Sequence, residues 1–138
     1  MRRTLAFGIA VVLLVGSCGG GTTPINEVGV GACFDDPDTA IVTELELVDC
    51  FEPHDNEIFA ELFMTETVFP GDDVVAKFAF DACLPEFEAY VGQTYADSSL
   101  DYFYFGPTQQ SWGDGDRGVQ CVLYSADFTK LTGSMQRA

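Results

Sequence analysis

Residues 72–91 carry the one long amphipathic pattern that follows the leader, and any sheet the chain forms has to pack on it. Val75, Phe78, Ala79, Ala82, Cys83, Phe87, Tyr90 and Val91 recur at helical spacing, with acids and Lys77 on the opposite side. Asp72 is placed to cap the first free amides, Asp73 suits the positive helix end, and Gly92 suits a left-handed terminating residue. Pro85 conflicts with this pattern, because it removes a ladder hydrogen bond at a typical cost of ~3 kcal/mol. The stripe nevertheless stays in phase across it, which predicts one kinked helix rather than two.

Around the helix, apolar alternation predicts strands at 28–34, 42–50, 57–65, 101–105 and 117–124, with a last short one at 131–134. Within 57–65, Ile58, Ala60, Leu62 and Met64 alternate with Phe59, Glu61 and Phe63. Residues 107–116 read as a long turn holding the single tryptophan. Strands on both sides of one helix predict an α+β fold, a small antiparallel β-sheet packed against one kinked α-helix.

The chain opens with a targeting pattern. Arg2 and Arg3 precede an apolar run, Leu5 to Val15, shorter than the roughly 20 residues that span a bilayer. Val15-Gly16-Ser17-Cys18 resembles a bacterial lipobox, which predicts a lipoprotein signal peptide at 1–17 and a lipidated Cys18. Residues 18–26, rich in glycine and threonine, read as a flexible tether outside the core, and residues 27–138 as the folded domain. The expected location is the outer face of the cytoplasmic membrane.

With Cys18 assigned to lipid, Cys33, Cys50, Cys83 and Cys121 remain, an even number in an exported domain. Of the three connectivities, Cys33–Cys50 is favoured because it joins neighbouring strands, and Cys83–Cys121 because it pins the helix to the sheet. The chain-entropy model gives these bridges ~3 and ~4 kcal/mol. There is no CxxC pair and a single histidine, so the sequence predicts no zinc site, metal or other cofactor.

Charge excludes one class of partner. Once Arg2 and Arg3 leave with the signal, four basic residues face 22 acids, a net charge of −18 that repels nucleic acid. The acid groups at Asp35/Asp36/Asp38 and Asp114/Asp116 lack the twelve-residue calcium loop and read as solvated turns.

Cys50-Phe51-Glu52-Pro53-His54-Asp55-Asn56-Glu57 holds the sole histidine, with Asp55 or Glu57 as a potential orienting acid. No serine sits in a G-x-S-x-G elbow and no cysteine is left unpaired, so the pattern favours a His54 tied into a tight turn over a catalytic one. Tyr102 to Phe105 and Trp112 near Arg117 form an aromatic-rich part, read as core packing with a recognition patch as the competing assignment.

The ordered series of pieces resembles the actinobacterial septum formation domain family, including its lipoprotein members. It runs through Gly31-x-Cys33-Phe34, Cys50-x-x-Pro53-His54-x-x-Glu57, Phe69-Pro70-Gly71, Tyr104-Phe105-x-Pro107-Thr108, Ser111-Trp112-x-x-Gly115-Asp116-Arg117 and Cys121-Val122-Leu123-Tyr124. The resemblance implies an exported or membrane-anchored protein with a proposed link to septation and no established reaction. The resulting expectation is a non-catalytic, lipid-anchored envelope domain that binds a protein or cell-wall partner, with His54, Trp112 and Arg117 as candidate recognition residues. An envelope-polymer hydrolase using His54 and a nearby carboxylate is the alternative, and a structural surface spacer the third reading.

Overall fold

A computed structural model describes residues 21–137. Six strands form one sheet: β1 (Thr22–Pro24), β2 (Cys33–Phe34), β3 (Glu44–Val48), β4 (Asn56–Phe63), β5 (Leu100–Phe105) and β6 (Gly118–Ser125). Their order across the sheet is β1-β3-β2-β4-β6-β5, and every neighbouring pair is antiparallel. One long helix, α1 (Asp72–Val91), packs on the central strands, and a short helix, α2 (Gln109–Gly113), precedes β6. This is the α+β architecture expected from the sequence, tied by disulfides Cys33–Cys50 and Cys83–Cys121.

The stripe of α1 is what the sheet buries. Val75, Ala79, Cys83, Phe87 and Tyr90 are buried, while Phe78 and Val91 flank them. The helix is continuous through Pro85, and Gly92 closes it in the left-handed region (φ 81°), its N–H bonded to the Glu88 carbonyl. The cap at the other end differs from expectation. The N-cap is Gly71, at φ 101°, which a residue with a Cβ rarely adopts, and no side chain caps the first turn. Asp72 instead joins Asp73 inside that turn, where both favour the positive end of the helix.

The strand alternation fails in one informative place. β4 and β6 shift register between Ile58 and Ala60, a bulge that inserts Phe59 into the ladder. Phe59 and Ala60 therefore both join the cluster under α1, and the strict alternation predicted for 57–65 breaks there. Ile58 stays on the other face, where it forms a second core with Val28, Phe34, Leu45 and Val122. β5 alternates cleanly: Tyr102 and Tyr104 pack toward α1, whereas Phe103 and Phe105 pack on the second core. An outward-facing aromatic patch on this strand is thus replaced by two-sided packing.

Other segments differ as well: the predicted turn at 107–116 contains α2, and the strand at 42–50 shortens to Glu44–Val48. The predicted strand 28–34 shrinks to Cys33–Phe34, because Gly31 turns the chain at φ 87° just before it. The tether is shorter than predicted: Thr22–Pro24 pairs with Glu44–Glu46 as an edge strand, since ladder hydrogen bonds need no apolar side chain. The segment 131–134 contributes only a single bridge, His54 to Leu131. The signal peptide at 1–17 and the lipidation residue Cys18 lie outside the described residues. Among the described residues, no helix is long and apolar enough to cross a membrane.

Candidate functional site

Where β4 begins, four segments converge on one buried carboxylate. Glu57 is fully buried, paired in the ladder with Cys33 on one side and Leu123 on the other. It accepts hydrogen bonds from the Tyr90 hydroxyl of α1 (2.7 Å), the Ser134 hydroxyl (2.5 Å) and the Met135 N–H (2.7 Å). Three donors aimed at one carboxylate offset what its burial costs. Burial, reinforced by the hydrogen bond to Glu57, pushes the Tyr90 phenol up to about 12, so it stays an O–H donor.

His54 lies beside this carboxylate, also fully buried. Its backbone is held by reciprocal bonds with Leu131 (3.0 and 2.8 Å), and its Nδ1 lies 2.8 Å from the Glu52 carbonyl. A carbonyl only accepts, so Nδ1 carries the hydrogen and neutral imidazole keeps its lone pair on Nε2. Among the described residues, that Nε2 is the one buried side-chain polar atom without a hydrogen-bond partner. An unpaired polar atom in the interior is costly, and in a native fold it calls for an explanation.

Cys33 completes the group. Its sulfur, a ring nitrogen of His54 and a carboxylate oxygen of Glu57 all lie within 4.8 Å of one another. This overturns the expectation of a domain without catalytic chemistry. That expectation rested on the missing nucleophile elbow and the pairing of every cysteine, whereas the fold itself assembles a disulfide sulfur, an imidazole and a carboxylate. It also selects between the two acids flanking His54. Asp55 is committed to the Lys130 ammonium (2.9 Å) and the Asp36 N–H (3.0 Å), whereas a carboxylate oxygen of Glu57 lies within 4.8 Å of a His54 ring nitrogen.

The two disulfides differ in access. Cys83 and Cys121 are both fully buried between α1 and β6. In the other bridge Cys33 is buried, but Cys50 is only half-buried, on the turn that leads to His54.

The remaining sequence candidates lie elsewhere. Trp112 is buried in α2, donates to the Thr67 carbonyl (3.4 Å) and packs edge-on against Phe69. The Arg117 guanidinium sits 3.8 Å over its ring and donates to the Trp112, Asp116 and Glu66 carbonyls. Arg117 joins β4 at its far end, where its carbonyl accepts from the Met64 N–H. His54 and Arg117 are thus separated by the length of β4, eight residues or ~26 Å at the usual rise. They do not form one site. The cleft of about 270 Å³ lined by Asp36, Asp55, Asn56, Phe103, Tyr124 and Phe128 contains none of the three.

Sequence reasoning missed Cys33 as part of a chemical centre, along with the supporting roles of Tyr90 and Ser134. His54 and Glu57 are three apart, which in a regular strand puts side chains on opposite faces. They meet because His54 lies outside β4, in the bridge to Leu131. The one sequence signal was the acid following the sole histidine.

Fold and site together define a small disulfide-tied α+β domain with an enclosed sulfur–imidazole–carboxylate cluster. The chain belongs to the septum formation family, whose model matches residues 30–137. That match spans the cluster, both disulfides, α1 and the Trp112–Arg117 corner. No curated protein and no solved structure matches the chain significantly.

Proposed function

We propose that this protein is a membrane-tethered envelope domain that carries out thiol–disulfide exchange at Cys33–Cys50, with His54 as the proton-handling group. The observation that carries the reading is the unpartnered, buried Nε2 of a histidine whose ring lies within 4.8 Å of the Cys33 sulfur. Of the sequence-based functions, the alternative of a hydrolase using His54 with a nearby carboxylate is the one whose residues this geometry brings together, and the adjacent sulfur is what turns the reading towards exchange. Because both groups are enclosed, the part of the centre that a substrate reaches is the half-buried Cys50, and the chemistry runs through sulfur.

In the exchange, an incoming thiol loses its proton and its sulfur attacks Cys50. The Cys33–Cys50 bond breaks, its electron pair leaves on Cys33, and a mixed disulfide forms at Cys50. The proton ends on Cys33 or on Nε2, where imidazolium and thiolate stabilise each other. The lipobox-like Val15-Gly16-Ser17-Cys18 supports anchoring through Cys18 at the outer face of the membrane, and membership of the family supports a partner connected with septum formation.

Limited reduction tests this reading. A small excess of dithiothreitol, followed by alkylation and mass mapping, is expected to label Cys33 and Cys50 while Cys83 and Cys121 stay protected. Opening of both bridges together, or resistance of Cys33–Cys50 until the domain unfolds, would overturn it.

A further inference from the structure

We infer that the reduced domain holds a divalent cation of the zinc class between Cys33, His54 and Glu57, so that the Cys33–Cys50 bridge and the bound metal are alternative states of one site. The inference rests on the reading above only in requiring that Cys33–Cys50 opens. Its ligands are already gathered: one sulfur, one imidazole nitrogen and one carboxylate oxygen within 4.8 Å of one another, all three residues buried.

The details of the cluster fit a metal better than a simple acid–base pair. His54 donates its Nδ1 hydrogen to a backbone carbonyl, the arrangement that orients a metal-ligating imidazole and leaves Nε2 free to coordinate. That Nε2 has no hydrogen-bond partner, so coordination there displaces none. Glu57 is held by hydroxyls from Tyr90 and Ser134 and by the Met135 N–H, which fix a carboxylate in place as outer partners do in metal sites. A thiolate, an imidazole and a carboxylate together suit zinc rather than calcium or magnesium, which take oxygen donors.

In the oxidised chain the sulfur is committed to Cys50, and a disulfide sulfur is a poor ligand. A dithiol reductant supplies the two electrons and two protons that convert the bridge to two thiols, becoming a disulfide itself. The metal then displaces the proton of Cys33. Tetrahedral zinc sets its ligand atoms ~3.5 Å apart, as follows from Zn–S of ~2.3 Å and Zn–N or Zn–O of ~2.1 Å. Ligand atoms that already lie within 4.8 Å of one another need to close by at most about 1.3 Å to reach that spacing, and opening the bridge frees the Cys33 side chain to take part in that adjustment.

The test uses Cys50→Ser, which frees Cys33 without disturbing Cys83–Cys121, and wild-type protein after limited reduction, which serves if the variant does not fold. Titration with Zn²⁺, and with Co²⁺ as a spectroscopic probe, is expected to show one cation per chain and a thiolate-to-cobalt charge-transfer band in both. Oxidised wild type is expected to show neither. His54→Gln in the Cys50→Ser background is expected to weaken binding by more than the ~100-fold typical for loss of an outer partner. Absence of binding to both free-thiol forms overturns the metal inference, as does equal binding to oxidised protein or to the His54→Gln form. Binding by Cys50→Ser alongside a bridge that resists reduction would instead leave the ligand set standing and remove the exchange reading.

Discussion

Glu57→Ala is expected to destabilise the domain by about 3–5 kcal/mol, the largest effect of any single side chain described here. The carboxylate accepts from Tyr90, Ser134 and Met135 at 2.5–2.7 Å. Hydrogen bonds to a charged group contribute ~1.5–3 kcal/mol each, and removing the acceptor strands its buried donors. Glu57 is also where β4, the end of α1 and the C-terminal segment are joined, so its loss releases three elements at once. A thermal or urea melt measures the cost, with Ser134→Ala, which removes one donor only, expected to cost about 1–2 kcal/mol. A Glu57→Ala protein within about 1 kcal/mol of wild type would show that the carboxylate is not the hub of this end of the sheet.

The second large effect is expected from Cys83→Ala with Cys121→Ala. This bridge spans 38 residues and ties the fourth turn of α1 to the middle of β6. Chain entropy alone assigns it ~4 kcal/mol, against ~3 kcal/mol for Cys33–Cys50 with its separation of 17. Both sulfurs are fully buried, so their removal also leaves a void under α1. Together these exceed what most small domains lose without unfolding near body temperature. The double variant should melt far below the corresponding Cys33→Ala/Cys50→Ala protein. If the order were reversed, the buried bridge would not be the structural one, and the division of labour between the two disulfides would be wrong.

Much of the frame could be read from residue order. The 75–79–83–87 ridge of α1 is a strong periodic signal, and burial follows it closely. The α+β class follows from where the strands fall relative to that helix. Less was legible where the backbone departs from regularity. The bulge at Phe59 depends on how β4 meets β6 and leaves no mark in the alternation of 57–65. Pairing of Thr22–Pro24 with β3 uses backbone groups alone, so a glycine- and threonine-rich segment gives no warning of it. The cluster was least visible of all. Cys33, His54 and Glu57 come from β2, a turn and β4, and only the closed sheet brings them together. The lack of an unpaired cysteine argues against chemistry, yet pairing does not silence a sulfur that lies within 4.8 Å of an imidazole nitrogen. Trp112 and Arg117 are a candidate recognition patch in the sequence, and the structure engages them with each other and with four backbone carbonyls.

The central claim is that His54 acts on the sulfur chemistry of Cys33–Cys50, and the rate of thiol exchange at that bridge in His54→Gln tests it most directly. Glutamine keeps a hydrogen-bond donor within reach of the Glu52 carbonyl but has no ring nitrogen to take or give a proton. With folding verified by an unchanged melt, exchange with a small dithiol is expected to slow by ~100-fold, the lower end of what a positioned acid–base group contributes. An exchange rate equal to that of the wild-type protein would contradict the account.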